Sequence, residues 1–283
     1  MTFFVIFISL VAELTWLSFA PLRGTSWVAG WYSWLERVVR LRRFTGDASV
    51  LVAIAVPVVF VAWVFNAVVD DSTLLTLAGG IAVLLFCSGP RDLASEIEFY
   101  KRDYLDQDDE ALALERDNFL NQVSAPVGDP DRPYELAVVQ AANDGLFAPM
   151  FWFVVLGPVG AVLFRMSSVF VGNQVLGAGE REIAARLYDI LLWLPARLLA
   201  IGLGLAGTLG PVVRVFSRAR HGLGGSEKLL GAAALAALGD HRDDTEAGDD
   251  DHIAAIHAMF GLVKRGFLVW LVILALLVAA GVA

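Results

Sequence analysis

Charge is what this sequence is short of. Only 18% of its 283 residues are charged, where soluble globular domains carry about 25%. That deficit excludes a chain that keeps most of its surface in water. Cysteine is scarcer still, with Cys87 alone, so no internal disulfide framework is available. Histidine is also thin, and three of the four residues, His241, His252 and His257, fall near Asp249, Asp250 and Asp251. His252 and His257 are five apart, a poor spacing for two ligands on one helix face. The tract reads as a solvated acidic loop, and neither a metal nor a cofactor is expected. No Ser-His-Asp or Cys-His arrangement is legible. Gly222 to Lys228 lacks the G-x-x-x-x-G-K-[ST] spacing of a phosphate loop. The net charge of −9, without a basic face, excludes a nucleic-acid surface.

What the chain has instead is apolar length. Hydrophobic residues make up 57% of it, against about 45–50% in soluble domains, and they fall in blocks. A hydrocarbon core of roughly 30 Å needs about 20 mostly apolar residues in a helix. Six blocks qualify: residues 2–20, 48–69, 73–86, 146–171, 187–213 and 267–283. The third is short, but Asp70, Asp71 and Ser72 form the polar turn of a tight helical hairpin. No Lys or Arg precedes the first block, so it reads as a retained span rather than a cleaved leader. The run from Val50 to Val64 is almost continuously apolar, unlike the alternation of a barrel strand. Only helices satisfy their own backbone in lipid. The expected fold is therefore all-α, a polytopic membrane protein of about six spans in a single domain covering residues 1–283.

Orientation follows from basic residues beside the spans. Arg23, Arg37, Arg40, Arg42 and Arg43 lie in the loop at 21–47. Arg91, Lys101 and Arg102 lie in the loop at 87–145, and the loop at 214–266 holds Arg214, Arg218, Arg220, Lys228, Lys264 and Arg265 among others. These three loops are predicted to be cytoplasmic and both termini periplasmic, in a bacterial inner membrane. Leu93, Ile97, Tyr100 and Tyr104 recur at helical spacing, which predicts an amphipathic cytoplasmic helix within residues 91–123. A second helix is expected over residues 227–238, and residues 240–251 have too little apolar content to fold alone.

Charges inside spans are expensive and mark function by default. Glu13 sits within the first block; it either serves function or lies near enough an end to reach water or an arginine. Arg165 ends a long apolar run, and Arg197 stands about eleven residues into the fifth span. Arg186 and Asp189 lie three apart and share a helical face. Asp189 with a nearby arginine forms a structural ion pair on one reading. On the other, an excess of arginine builds a site for phosphate or carboxylate. Gly157-Pro158, Gly160 and Pro195 interrupt the fourth and fifth spans, as kinks or as markers of a binding site.

The stretch Asn143-Asp144-Gly145-Leu146-Phe147-Ala148-Pro149-Met150-Phe151-Trp152 resembles a D-G-x-x-A-P-L-F-[WY] element. Gly157-Pro158-Val159-Gly160-Ala161 with Phe164-Arg165 resembles G-x-x-G-A…Y-R. Arg186-Leu187-Tyr188-Asp189 and Trp193-Leu194-Pro195-Ala196-Arg197-Leu198 resemble R-L-D-D…N-W-[IL]-P-A-R-L. These elements are similar to those of the CobD/CbiB family, membrane enzymes of cobalamin synthesis that join an aminopropanol phosphate to a corrinoid carboxylate. They are similar also to the related AmpE family, inner-membrane modulators of β-lactamase induction. By resemblance, Asp144, Arg165, Arg186, Asp189 and Arg197 are the ligand-binding positions.

Departures from the enzyme pattern weigh between the two families. Leu136-Ala137-Val138-Val139-Gln140-Ala141 stands where CobD-like enzymes carry E-S-x-A-E-N. Tyr188 and Leu192 stand where they carry Asp and Asn, and Leu230-Gly231-Ala232-Ala233-Ala234 where they carry P-E-A-A-M. An ATP-driven amide ligase needs carboxylates to hold Mg²⁺ against phosphates. The expectation is therefore a non-catalytic, AmpE-like modulator of β-lactamase induction and cell-wall-recycling signals. It would bind an anion, with the bilayer and a functionally linked AmpD-type cytoplasmic amidase as partners. A divergent CobD/CbiB-like adenosylcobinamide-phosphate synthase is the alternative.

Overall fold

The computed structural model describes residues 26–39, 46–69, 73–88, 133–172, 175–219, 225–239 and 249–280. All regular structure among them is helical: α1 (Ser26–Val39), a 3-10 turn (Gly46–Ala48), α2 (Ser49–Val69), α3 (Thr73–Cys87), α4 (Pro133–Ala142), a π segment (Asn143–Phe147), α5 (Ala148–Val171), α6 (Ala178–Ala206), α7 (Leu209–Arg218), α8 (Ser226–Leu238) and α9 (Asp249–Ala279). Four helices are long and apolar enough to cross a membrane: Gly46–Ala67, Glu135–Val171, Ala178–Ala206 and Ala254–Leu277. The all-α, multi-pass reading stands.

The individual spans differ from the sequence expectation in instructive ways. Residues 2–20, with Glu13, and the expected amphipathic helix at 91–123 lie outside the described residues. The third block forms α3, whose 15 residues reach only about 22 Å. The fourth helix starts eleven residues early, at Glu135, because the polar Gln140, Asn143 and Asp144 sit inside a continuous helix. Its 37 residues would extend about 55 Å if straight. It is not straight: Gly157 breaks it at φ 69, ψ −158, a conformation open to glycine but not to a residue with a side chain. The fifth helix spans Ala178–Ala206 and stops short of residue 213. Its chain turns at Gly207, where a Cβ would come within 2.4 Å of the Ala237 carbonyl, and Thr208 donates its N–H to that same oxygen at 3.0 Å. The last helix begins at Asp249, so Asp249 to Asp251 are helical and the acidic run is not wholly irregular. Lys264 and Arg265, which masked the start of this span, are exposed. Lys264 lays its ammonium 4.2 Å over the Phe260 ring.

The chain divides into two compact units, Met1–Pro90 with Asp144–Leu191, and Arg91–Asn143 with Leu192–Ala283. In the first, α5 packs on α2 and α3. In the second, α4 is enclosed by α8 and α9, and residues 135–140 are all buried. Close approach there depends on small residues. Leu136 reaches to within 2.6 Å of where a Cβ on Gly231 would stand. Trp270 does the same at Gly202, at 2.4 Å, and its indole N–H donates to the Leu198 carbonyl at 2.9 Å. Gly266 against Leu203 and Leu262 against Gly207 continue the register, so α9 runs antiparallel to the second half of α6.

Candidate functional site

Asp144, the first residue of its segment of the first unit, lies where the helix widens from α to π over Asn143–Phe147. Pro149 explains the widening. It has no N–H to return to the carbonyl four residues back, at Gly145, and its ring crowds that carbonyl. Such π segments recur at functional sites. Here the widening carries Asp144 to α6, where its Oδ2 accepts the Tyr188 hydroxyl at 2.6 Å. Tyr188 is itself buried at 3% exposure, its ring 5.9 Å from that of Phe164.

Arg165, Arg186 and Asp189 lie in the same unit as this pair. Arg165 is buried in α5, close enough to Cys87 to act on it electrostatically. Arg186 turns away to solvent and pairs with Glu182 at 2.6 Å, both side chains more than 60% exposed. Such a surface pair contributes little. Asp189, three residues on, has no ion-pair partner among the described residues. The expected Asp189–arginine brace is absent there. Arg197 belongs to the second unit. Its guanidinium lies 4.2 Å over the Trp193 ring, and Nη1 donates to the Trp193 carbonyl at 2.9 Å and to Ser226 Oγ at 3.3 Å. Ser226 opens α8 behind Gly225, which holds φ 87 and offers no side-chain cap.

Sequence reasoning missed a buried carboxylate that accepts three hydrogen bonds. Glu180 is fully buried; Oε1 accepts from Tyr32 at 2.5 Å and from Ser49 at 2.8 Å, and Oε2 from the Gly177 backbone N–H at 2.8 Å. The last contact is half of a capping box, a glutamate at the third helical position reaching back to the residue before the helix. Gly177-Ala178-Gly179-Glu180 carried that signal. Burial first, and then the Glu180 carboxylate, push the Tyr32 hydroxyl up to about 12. Two further polar residues, Glu135 and Gln140, are buried in α4, at 2% and 4% exposure.

The family model described as CobD/Cbib protein matches residues 6–244. The chain belongs to the CobD/CbiB family. It is 33% identical over 183 residues to Cobalamin biosynthesis protein CobD of Chromobacterium violaceum, covering 61% of this chain and 55% of that one. To the protein of the same name from Stutzerimonas stutzeri it is 29% identical over 162 residues, covering 49% and 52%. This CobD/CbiB chain thus spans about half the length of the curated relatives it matches. No solved structure matches it.

These findings overturn the AmpE-like reading. The matching family is CobD/CbiB, and the relatives are each named Cobalamin biosynthesis protein CobD. The error lay in weighing lost carboxylates as lost identity. At two of those positions packing has taken over. Leu136, where the resemblance sets an acid, is 1% exposed and fills the notch at Gly231. Tyr188, at another, gives Asp144 a hydrogen-bond donor in place of a second negative charge. The Mg²⁺ and nucleotide that the resemblance implies need a group of acids. Among the described residues no three acids, histidines or cysteines come together, so these residues do not fit that pair.

Proposed function

We propose that this CobD/CbiB member works in cobalamin biosynthesis at the bacterial inner membrane, joining the amine of an aminopropanol phosphate to a corrinoid carboxylate through an amide bond. The observation that carries the reading is the family match across residues 6–244. The geometry of Asp144 supports it: the D-G element that the resemblance marks as ligand-binding sits on a widened helix, with its carboxylate held in place by Tyr188. A carboxylate fixed by a hydroxyl donor suits orientation of an amine or hydroxyl on the incoming substrate. Arg165, in the same unit as Asp144, brings the positive charge that a phosphate-bearing substrate requires.

Expression of the full chain in a strain lacking its CobD-type enzyme, on medium where cobalamin is essential, tests the proposal. Restored growth, with the amide-linked corrinoid detected by mass spectrometry, is the expected result. No rescue by chain shown to reside in the membrane would overturn it. Asp144→Asn should abolish rescue while the protein still accumulates.

A further inference from the structure

One short helix of the second unit has a use that the proposed chemistry does not touch. Helix α7 begins after a two-residue turn at the end of α6 and sorts its side chains by face. At 100° per residue, Leu209, Val212, Val213 and Phe216 share one side, and Arg214, Ser217 and Arg218 the other. Val212 alone is buried, set with the tip of Leu209 against Gly204, where a Cβ would meet Val212 at 3.3 Å and Leu209 Cδ1 at 3.1 Å. Leu209 and Val213 stay 44% and 56% exposed. Protein covers one edge of the apolar face and leaves the other open.

Two observations identify what covers the open edge. The first is continuity. Leu194, Ile201 and Leu205 are exposed on α6, seven and four residues apart, and therefore form one stripe along a helix that crosses the membrane. Exposed apolar side chains on a span face acyl chains, and Leu209 follows this stripe directly after the turn. The second is charge. Helix α7 carries Arg214 and Arg218 and no acid. Both arginines are exposed, neither has an ion-pair partner among the described residues, and four-residue spacing sets them on one edge. A basic polar face beside an apolar one, at the end of a span, is the make-up of a helix that lies in a headgroup layer. Anionic lipid draws the arginines there.

We propose that α7 is an interfacial helix, its Leu209–Val213 edge in the acyl boundary and Arg214 and Arg218 on anionic phospholipid headgroups. The assignment is independent of the reaction. The full chain carrying Val213→Cys, labelled with an environment-sensitive fluorophore in nanodiscs, tests it. Cys87 is fully buried, and the parent chain reports any background labelling. Lipids brominated on the acyl chain should quench the label, and aqueous iodide should not. Brominated phosphatidylglycerol should be preferred over brominated phosphatidylcholine, with roughly a fivefold loss of preference for each arginine replaced in Arg214→Gln and Arg218→Gln. High salt should weaken the preference. Iodide access without lipid quenching would overturn the proposal. So would equal quenching by the two lipids, or protection that depends on protein concentration in detergent, which marks a second copy as the occupant. Leu209→Cys reads the same edge if the first variant misfolds. Failure of both to fold would show the edge packed against protein and sink the idea.

Discussion

The Tyr188 hydroxyl meets the Asp144 carboxylate at 2.6 Å, joining residues 44 apart in sequence. The contact links the widened turn of one helix to the middle of another. Tyr188→Phe keeps the ring against Phe164 and removes only the donor. Its cost should be about 1.5–3 kcal/mol, as for a hydrogen bond to a charged group, read as a lowered melting temperature in detergent. Cobalamin-dependent growth should fall with it, and should fall further for Asp144→Asn, which keeps the shape and removes the charge. Equal growth for both variants and the parent would remove Asp144 from the site.

A second prediction concerns Glu180. Glu180→Ala strands the Gly177 N–H and leaves the Tyr32 and Ser49 hydroxyls only each other, at 3.2 Å, so one of those two O–H donors is stranded as well. Each stranded group costs about 1–3 kcal/mol, so this variant should be among the least stable single substitutions in the first unit. The same cluster sets an alkaline limit. Tyr32 holds its proton to about 12 in the folded chain, against about 10 unfolded. The stabilisation is therefore full below pH 10 and declines as pH rises toward 12, because only the unfolded chain releases the proton in that window. Melting temperature against pH should show this fall, and Tyr32→Phe should flatten it.

Glycine positions separate packing from freedom. Gly202→Ala drives a methyl toward the Trp270 indole nitrogen, 2.4 Å away, and breaks its bond to Leu198. Overpacking of this kind costs about 1–3 kcal/mol. Gly261 is also helical, but nothing lies within 4 Å of its Cβ position. Gly261→Ala should leave stability unchanged or raise it by up to about 1 kcal/mol through helix propensity. Thermal unfolding of the two variants side by side checks the contrast.

The helices were legible because lipid imposes a length on apolar runs, and the break at Gly157 was legible because glycine followed by proline interrupts a span. Other boundaries were not. A polar residue in a span reads as an end when counted by hydropathy, yet Gln140 and Asn143 continue their helix because neighbours enclose it. The turn at Gly207 depends on the Ala237 carbonyl, thirty residues away in sequence, which no local pattern reveals. The site was legible only as motifs. Spacing placed Arg186 and Asp189 on one face, but solvent holds Arg186 outward on Glu182. Glu180 was overlooked because its partners, Tyr32 and Ser49, come from distant helices.

Orientation is a fourth prediction. Reporter fusions after residues 44 and 120 should be cytoplasmic, and those after 71 and 178 periplasmic, because the arginine-rich segments resist translocation. A periplasmic reporter active at 44 would reverse the assignment.

The last prediction concerns Arg197, whose guanidinium lies on Trp193 and bonds to Ser226 at the start of α8. Two roles compete. As a brace between α6 and α8, Arg197 would show its removal chiefly in stability, and Ser226→Ala would mimic it. As the seat of a phosphate, it would show its removal chiefly in function. The second role follows from the chemistry: a planar fork stacked on an aromatic ring is pre-organised for an anion, and the amides opening α8 add positive potential. Arg197→Leu should therefore abolish cobalamin-dependent growth while lowering the melting temperature by no more than about 2–4 °C, the equivalent of 1 kcal/mol in a chain of this size. Arg197→Lys keeps charge without the fork and should retain partial growth. A large drop in melting temperature for Arg197→Leu, reproduced by Ser226→Ala, would assign Arg197 to the brace.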